Sequence, residues 1–340
     1  MEIVLTDAEK REWDGYLKRS PHATIYHQAN WRDIFEDFFG HNTYYLMAKE
    51  NGDIKGVLPL ALMKSKIFGN FMVSLPFHCV GGVCADNEKT EAHLINVAIR
   101  ITKEEDLDYL ELRNVRKKEN GLETKNHKAS FVLDLSPGPD ELWQNFKKQI
   151  RNRIRKSEKH GLSAKFGHQY INEFYECYAT HMRDLGLPIH DLSFFKKVLN
   201  IFLESSQIAV ITQKGKVVAA KFFMFYKNTA YLIWGASLKE EREYMSNYLL
   251  TWEVIKYVAN LGYKYCDFGR STVNTGPFYF KQNWGGQLKP LYWQYYLNNG
   301  NKMPDLSPFN SKYRFAIRIW KRFPLAFTKL IGPEIVKHIP

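Results

Sequence analysis

One ordered series of elements occurs twice along this chain, and that duplication constrains the fold more than any other feature. Residues 44–62 read YYLMAKENGDIKGVLPLAL, two strand-like runs flanking Asn51-Gly52-Asp53. Asn-Gly supplies the positive backbone angles that a tight hairpin turn requires. Residues 208–226, IAVITQKGKVVAAKFFMFY, repeat strand, Lys-Gly-Lys turn and strand. Behind the first hairpin, EAHLINVAIRITKEEDLDYLELR (91–113) places Leu94, Val97, Ala98 and Ile101 at helical spacing before a strand-like end. Behind the second, NYLLTWEVIKYVANLGYKYCDFGR (247–270) aligns Leu250, Val254, Ile255 and Val258, stops at Gly262 and continues as a short strand. One match would mean little, whereas two matching series in the same order point to duplication. No short repeat of solenoid type accompanies it.

A length of 340 residues suits two domains, each able to bury its own core. The turn-forming cluster Ser136-Pro137-Gly138-Pro139 marks the boundary. Residues 1–138 form one expected domain, 139–300 a second that opens with a bridging helix from Asp140 to about Gly161, and 301–340 a tail. The expected class is α+β (mixed α/β), with central mixed sheets flanked by helices. Cys79, Cys84, Cys177 and Cys266 form no CxxC pair and the histidines are scattered, so a reduced protein without structural metal is expected. The N-terminal residues lack the apolar core of a signal peptide, and no run is long enough to span a bilayer. A cytoplasmic location is expected. The net charge of +12 favours an anionic partner such as phosphate, RNA or an acidic membrane face.

The densest chemical constellation is YCDFGRSTVNTGPFYFKQNWGG at 265–286. A strand delivers Asp267, Gly269 turns the chain, and Arg270 and Ser271 follow just past the strand end, where function concentrates in such folds. Lys281 then stands among aromatic residues before a double glycine. A cation held where rings exclude water can stabilise the negative charge that forms on a carbonyl oxygen when an amine attacks an ester or thioester. Lys281 is the first candidate for that role and Arg270 the second, with Asp267 available to take a proton. Spacing alone is equally met by a lysine snorkelling out of an aromatic core and an Asp267–Arg270 ion pair that only supports the fold.

The run D-F-G-R-S, then T-G, F-K-x-x-W-G-G and the strand PLYWQYYL, resembles the C-terminal signature of the FemAB family, in particular the FemAB-like group found with exosortase/PEP-CTERM systems. The segment Tyr26-His27-Gln28-Ala29-Asn30-Trp31 and the run from Arg151 to Leu162 resemble it as well, so the likeness spans nearly the whole chain. It implies two tandem GNAT-like (acyl-CoA N-acyltransferase-like) domains and an acyl or aminoacyl transferase of the EC 2.3 class. Its acceptor would be an amine on a cell-envelope precursor of peptidoglycan or exopolysaccharide type, carried as a lipid-linked or nucleotide-linked sugar or peptide. The best-known members take amino acids from aminoacyl-tRNA, and a lysine in their F-K motif lies at the transfer site. The matching pair here is Phe280-Lys281. Substrate binding is expected of Phe280, Tyr279, Trp284 and Ser271, with Trp31 and Arg32 from the N-terminal segment. No permanently bound cofactor is implied; the donor is a co-substrate, aminoacyl-tRNA or acyl-CoA. The family's helical-hairpin arm has no counterpart here, which counts against tRNA.

Acyl-CoA enzymes of this fold cradle pyrophosphate with a glycine-rich turn at a helix start. No glycine occurs between Gly235 and Gly262, which counts against CoA. Lys147, Lys148, Arg151, Arg153, Arg155 and Lys156 crowd one stretch; Lys148, Arg151 and Arg155 share one helical face, and Arg153 and Lys156 another. Such a helix is either a solvated surface or a contact for phosphates or RNA, including tRNA. From Leu306 to Pro333 there is no acidic residue. There Tyr313, Ile317 and Trp320 line one helical face, with Arg314, Arg318, Lys321 and Arg322 on the other side. That pattern suits a helix lying on the anionic inner leaflet or one docked on the protein body. Two other functions also fit the chain: a non-catalytic GNAT-like module binding an anionic glycolipid or RNA, and a CoA-dependent N-acetyltransferase.

Overall fold

The computed structural model describes residues 2–5, 10–300, 302–305 and 310–339. The chain forms two compact units, Met1–Lys128 with Pro290–Leu306 and Lys337–Pro340, and Ala129–Lys289 with Ser307–Val336. The first begins with β1 (Glu2–Leu5), α1 (Lys10–Arg19) and α2 (Asn30–Asp33). Strands β2 (Thr43–Glu50) and β3 (Asp53–Ser65) pair antiparallel as the expected hairpin. Asn51 and Gly52 adopt φ of 52° and 84°, the left-handed angles the Asn-Gly turn signalled. β4 (Gly69–Val73) extends the sheet beside β3, and β5 (Cys84–Ala85) adds a short bridge to β3. Helix α3 (Glu88–Glu104) starts where the Asn87 side chain accepts from the Thr90 N–H, and it buries Leu94, Ala98 and Ile101. It leads into β6 (Tyr109–Asn114), parallel to β4. Leu46, Leu58, Leu60, Met72, Leu110 and Leu112 close the core against α3.

The chain enters the second unit within β7 (Glu123–Asp134). The single bridging helix expected over Asp140–Gly161 is instead two, α4 (Pro139–Asn145) and α5 (Lys148–Lys159). Phe146 between them is extended at ψ 143°, which drops its ring into the core against Trp252 and Trp284. A continuous helix would carry that ring elsewhere, so burial of an aromatic side chain outweighs the lost helical hydrogen bonds. After β8 (Ser163–Phe166), α6 (Ile171–Leu185) and α7 (Leu192–Ile201), the second hairpin forms from β9 (Ser206–Gln213) and β10 (Lys216–Tyr226). β11 (Thr229–Ser237), α8 (Ser246–Asn260) and β12 (Tyr265–Asp267) follow, with β12 parallel to β11. Leu250, Val254, Ile255 and Val258 of α8 are fully buried, as their spacing requires. The sheet of this unit runs β7-β12-β11-β10-β9-β8.

β13 (Ser271–Thr272) and α9 (Gly276–Gln282) precede β14 (Gln287–Leu297), in which the chain returns to the first unit. There β14 pairs antiparallel with β6, giving the order β1-β2-β3-β4-β6-β14. The duplication is therefore fuller than the sequence series: strand, two helices, three antiparallel strands, helix and parallel strand occur in each unit. Each sheet ends on a strand that follows the other repeat in sequence, β14 after β12 and the latter half of β7 after β6. The turn at 136–139 lies inside the second unit, ten residues past the crossing at 128/129.

Part of the expected tail, residues 301, 306–309 and 340, lies outside the described residues. Helices α10 (Ser311–Trp320) and α11 (Leu325–Val336) belong to the second unit. Ile317 packs on Gly186 so tightly that a Cβ there would lie 2.5 Å from its Cγ2, and Trp320 is buried. The face carrying Ile317 and Trp320 is thus docked. The opposite face leaves Phe315 and Ile319 exposed among Arg314, Arg318 and Arg322. Among the described residues no helix is long and apolar enough to cross a membrane.

Candidate active site

Strand β12 ends at Asp267, whose carboxylate accepts the Gly269 N–H at 2.8 Å and the Ser130 hydroxyl. Those bonds tie the strand exit to β7. Gly269 has φ of 69°, and a Cβ there would lie 2.9 Å from the Leu232 carbonyl, so backbone geometry and space both require glycine. Beyond this point the two parallel strands part. Pairing ends at Tyr231–Asp267 although β11 runs on to Ser237.

Helix α9 returns over that exit. Pro277 sits in its first turn, where a missing N–H costs nothing. Phe278 faces inward against Phe131 at 5.0 Å, and Lys281, one turn later, reaches back to the strand end. Its ammonium donates to the Gly269 and Arg270 carbonyls, at 2.8 Å each. An ammonium has three N–H donors, and two go to these carbonyls. The sequence expectation placed this amine between rings; the structure gives it two backbone carbonyls as partners. Helical periodicity turns Phe278 and Trp284 into the core, while carbonyl dipoles hold the cation. Lys281 nevertheless lies within the field of Asp267, beside Arg270. Burial pushes the Asp267 carboxyl above its ordinary range, against the Ser130 and Gly269 hydrogen bonds and the Lys281 charge.

The other residues singled out in sequence distribute as follows. Ser271 is 5% exposed, and its hydroxyl has no partner within the protein. Trp284 is fully buried against Phe146, Tyr248 and Phe280, with its indole N–H likewise unpartnered. Phe280 is half-buried against Tyr248, and Tyr279 is exposed, with its hydroxyl 3.4 Å from Asn274 Oδ1. Arg270 is half-buried, and its charge acts on the buried Tyr178 hydroxyl of α6.

Trp31 and Arg32 belong to the first unit. The Trp31 ring is fully buried against Phe35 and His78, its N–H bonded to the Ile25 carbonyl, so it offers no face to a substrate and serves the core. Arg32 pairs with Glu36 at 2.9 Å and borders an open groove with Gly40, His41 and Thr43.

The basic helix α5 is not a uniform charged face. Arg153 lies over the Tyr248 ring and donates to its hydroxyl, and Arg155 lies over Trp143. Arg151 donates to the Gln144 carbonyl at 3.4 Å, leaving its Nε buried without a partner. Lys148 and Lys156 are exposed. Cation–π contacts and α4 thus absorb part of the charge that spacing alone leaves unbalanced. All four cysteines are free thiols, and no cluster able to hold a metal ion occurs among the described residues.

Two residues of the site escaped the sequence reading, Ser130 and Lys221. The second is a charged residue inside the apolar run VVAAKFFMFY of β10, an irregularity that could have drawn notice.

The Acetyltransferase (GNAT) domain family matches residues 144–282, a segment that contains α5 through α9. A lipid II:glycine glycyltransferase of Staphylococcus epidermidis is 20% identical over 381 aligned residues, covering 82% of this chain and 88% of that protein. Among solved structures, FemX superposes with a TM-score of 0.68 at 16% identity, covering 88% of this chain and 98% of its own. A tandem GNAT protein from the clavulanic acid biosynthesis pathway gives 0.56 at 13% identity, with 86% and 97% covered. The domain match and these superpositions define a GNAT-type fold with an α+β architecture. Beyond the fold, the likeness to a lipid II:glycine glycyltransferase and to FemX runs over most of both chains.

Proposed function

We propose that this enzyme transfers an aminoacyl group onto an amine of a lipid-linked peptidoglycan precursor. The likeness to a lipid II:glycine glycyltransferase over most of both chains supports the acceptor class. The observation that carries the chemistry is the Lys281 ammonium, fixed on two carbonyls at the exit of β12 and within the field of Asp267. When the acceptor amine attacks the donor ester, the carbonyl oxygen becomes negative. A cation fixed beforehand stabilises that charge without reorganising, and donors of this kind are worth roughly 10²–10³ in rate. Asp267 holds the Gly269 turn on which Lys281 rests, and Arg270, Ser271, Phe280 and Tyr279 border the approach.

The donor in this reading is aminoacyl-tRNA, a co-substrate whose phosphates suit the exposed Lys148 and Lys156 of α5; acyl-CoA is the competing donor. The outward face of α10, with Arg314, Arg318 and Arg322 around Phe315 and Ile319, suits the anionic leaflet that carries a lipid-linked acceptor. The test offers labelled aminoacyl-tRNA or labelled acetyl-CoA with a lipid-linked or nucleotide-linked precursor. Label moving from tRNA into the lipid-linked product is the expected result. Transfer from acetyl-CoA alone, or salt-sensitive RNA binding without any transfer, overturns the reading.

A further inference from the structure

Lys221 is a second lysine at the same strand exit, and nothing in the function above employs it. Its side chain is 7% exposed, and its Nζ donates to Thr251 Oγ1 of α8 at 2.9 Å. Thr251 in turn donates to the Asn247 carbonyl at 2.8 Å, so its oxygen is oriented to accept. Lys221 stands opposite Ala209 on β9 and Gly235 on β11. Gly235 is exposed, and a Cβ there would lie 3.4 Å from Lys221 Cε. The lysine stem therefore runs along a stretch of β11 that bears no side chain and is open to solvent, on the part of the strand that has left β12. The titratable groups that face it are the Cys266 thiol of β12 and the Lys281 ammonium of α9. Among the described residues it forms no ion pair.

A buried amine with one hydroxyl partner and no counter-ion is costly as a cation. Its retention in an apolar strand, beside the open edge and within the field of Lys281, points to a chemical task. We propose that Lys221 is the proton acceptor of the transfer step. The inference rests on the aminoacyl-transfer reading above. The acceptor amine forms its N–C bond to the acyl carbon, and the tetrahedral carbon expels the ester oxygen. The proton leaving the attacking nitrogen passes to the neutral Lys221 amine and from there to the departing oxygen, so the amine is regenerated. Burial, opposed by Cys266 and reinforced by Lys281, lowers the Lys221 amine to about 8. The thiol is itself pushed up to about 12, so it stays neutral and supplies no compensating charge near neutral pH. A base near the working pH is the effective kind, worth roughly 10²–10⁴ in rate.

The experiment compares the full-length enzyme with Lys221→Arg and Lys221→Met in steady-state transfer, and follows the lysine ¹³Cε resonances against pH, with Lys221 assigned by its loss in the Met variant. Near-ultraviolet circular dichroism of each variant checks that it folds. The proposal expects kcat to fall about 100-fold or more in both variants with little change in KM, since arginine keeps the charge but does not deprotonate. It also expects the Lys221 resonance to titrate near 8, and higher once Lys281→Met removes the neighbouring charge. A Lys221→Arg enzyme with wild-type kcat, or a resonance titrating with the exposed lysines, overturns the proton role alone. Absence of transfer by the wild-type enzyme with every donor overturns both this role and the function it rests on.

Discussion

Two lysines lie within one another's field in the second unit and are held in opposite ways. Lys281 rests on two carbonyl dipoles, whereas Lys221 is buried with a single hydroxyl partner. The folded chain therefore bears a cost for charging Lys221 that the unfolded chain does not. Its basicity falls from 10.5 to about 8 on folding, equivalent to about 3 kcal/mol. The sign follows directly: below about 8 both states are charged and the cost is fully present. As pH rises from there toward 10.5, the folded chain has lost the proton that the unfolded chain still holds, and the cost fades. Lys221→Met should accordingly raise stability at pH 7 by up to about 3 kcal/mol, with the gain shrinking toward pH 10, as read by denaturant melts across pH. At this scale Lys281, Asp267 and Arg270 were legible because they cluster just past a strand end. The carbonyls that hold Lys281 were not, since a short helix sends every third or fourth side chain inward and leaves the next to find carbonyls. Ser130 was not legible either; it reaches Asp267 across 137 residues of sequence, beyond any local pattern.

Among the elements, the break between α4 and α5 has the clearest energetic origin. Phe146 is buried edge-on against Trp252 and Trp284 at 5.4 and 5.2 Å, so it anchors α8 and Trp284, two residues past α9, to the start of the second unit. Phe146→Ala should cost roughly 3–5 kcal/mol in urea unfolding, the range for emptying an aromatic core position, whereas Phe146→Leu should cost less. Sequence periodicity reads through such a break, because charged residues on either side keep a helical rhythm. The hairpins, α3 and α8 were legible from Asn51-Gly52, Lys214-Gly215 and the spacing of buried Leu, Val and Ile. The third strands β4 and β11 were not singled out. The run Gly69–Val73 is short, and Thr229–Ser237 follows β10 after a two-residue turn, so its apolar character merges with its neighbour's.

For the whole molecule, the strand exchange is what linear reading missed most plainly. A turn cluster at 136–139 invites a boundary, yet β7 and β14 each complete a sheet built from the other repeat, and pairing of that kind leaves no local trace. The tail was legible as amphipathic, but both of its long faces carry apolar residues. One docks through Ile317 and Trp320, and the other shows Phe315, 72% exposed, among arginines. Binding to vesicles containing anionic lipid should therefore be salt-sensitive, and Arg314→Glu with Arg318→Glu should weaken it at least tenfold in co-sedimentation while leaving transfer to a nucleotide-linked precursor unchanged. The most direct test of the central claim is single-turnover transfer from aminoacyl-tRNA to a lipid-linked precursor by wild-type, Lys281→Arg and Lys281→Met enzymes at saturating substrate. The account predicts a loss of roughly 10²–10³ in rate for Lys281→Met with substrate binding retained, and a smaller loss when the charge is kept by arginine. A Lys281→Met enzyme that transfers at the wild-type rate would contradict it.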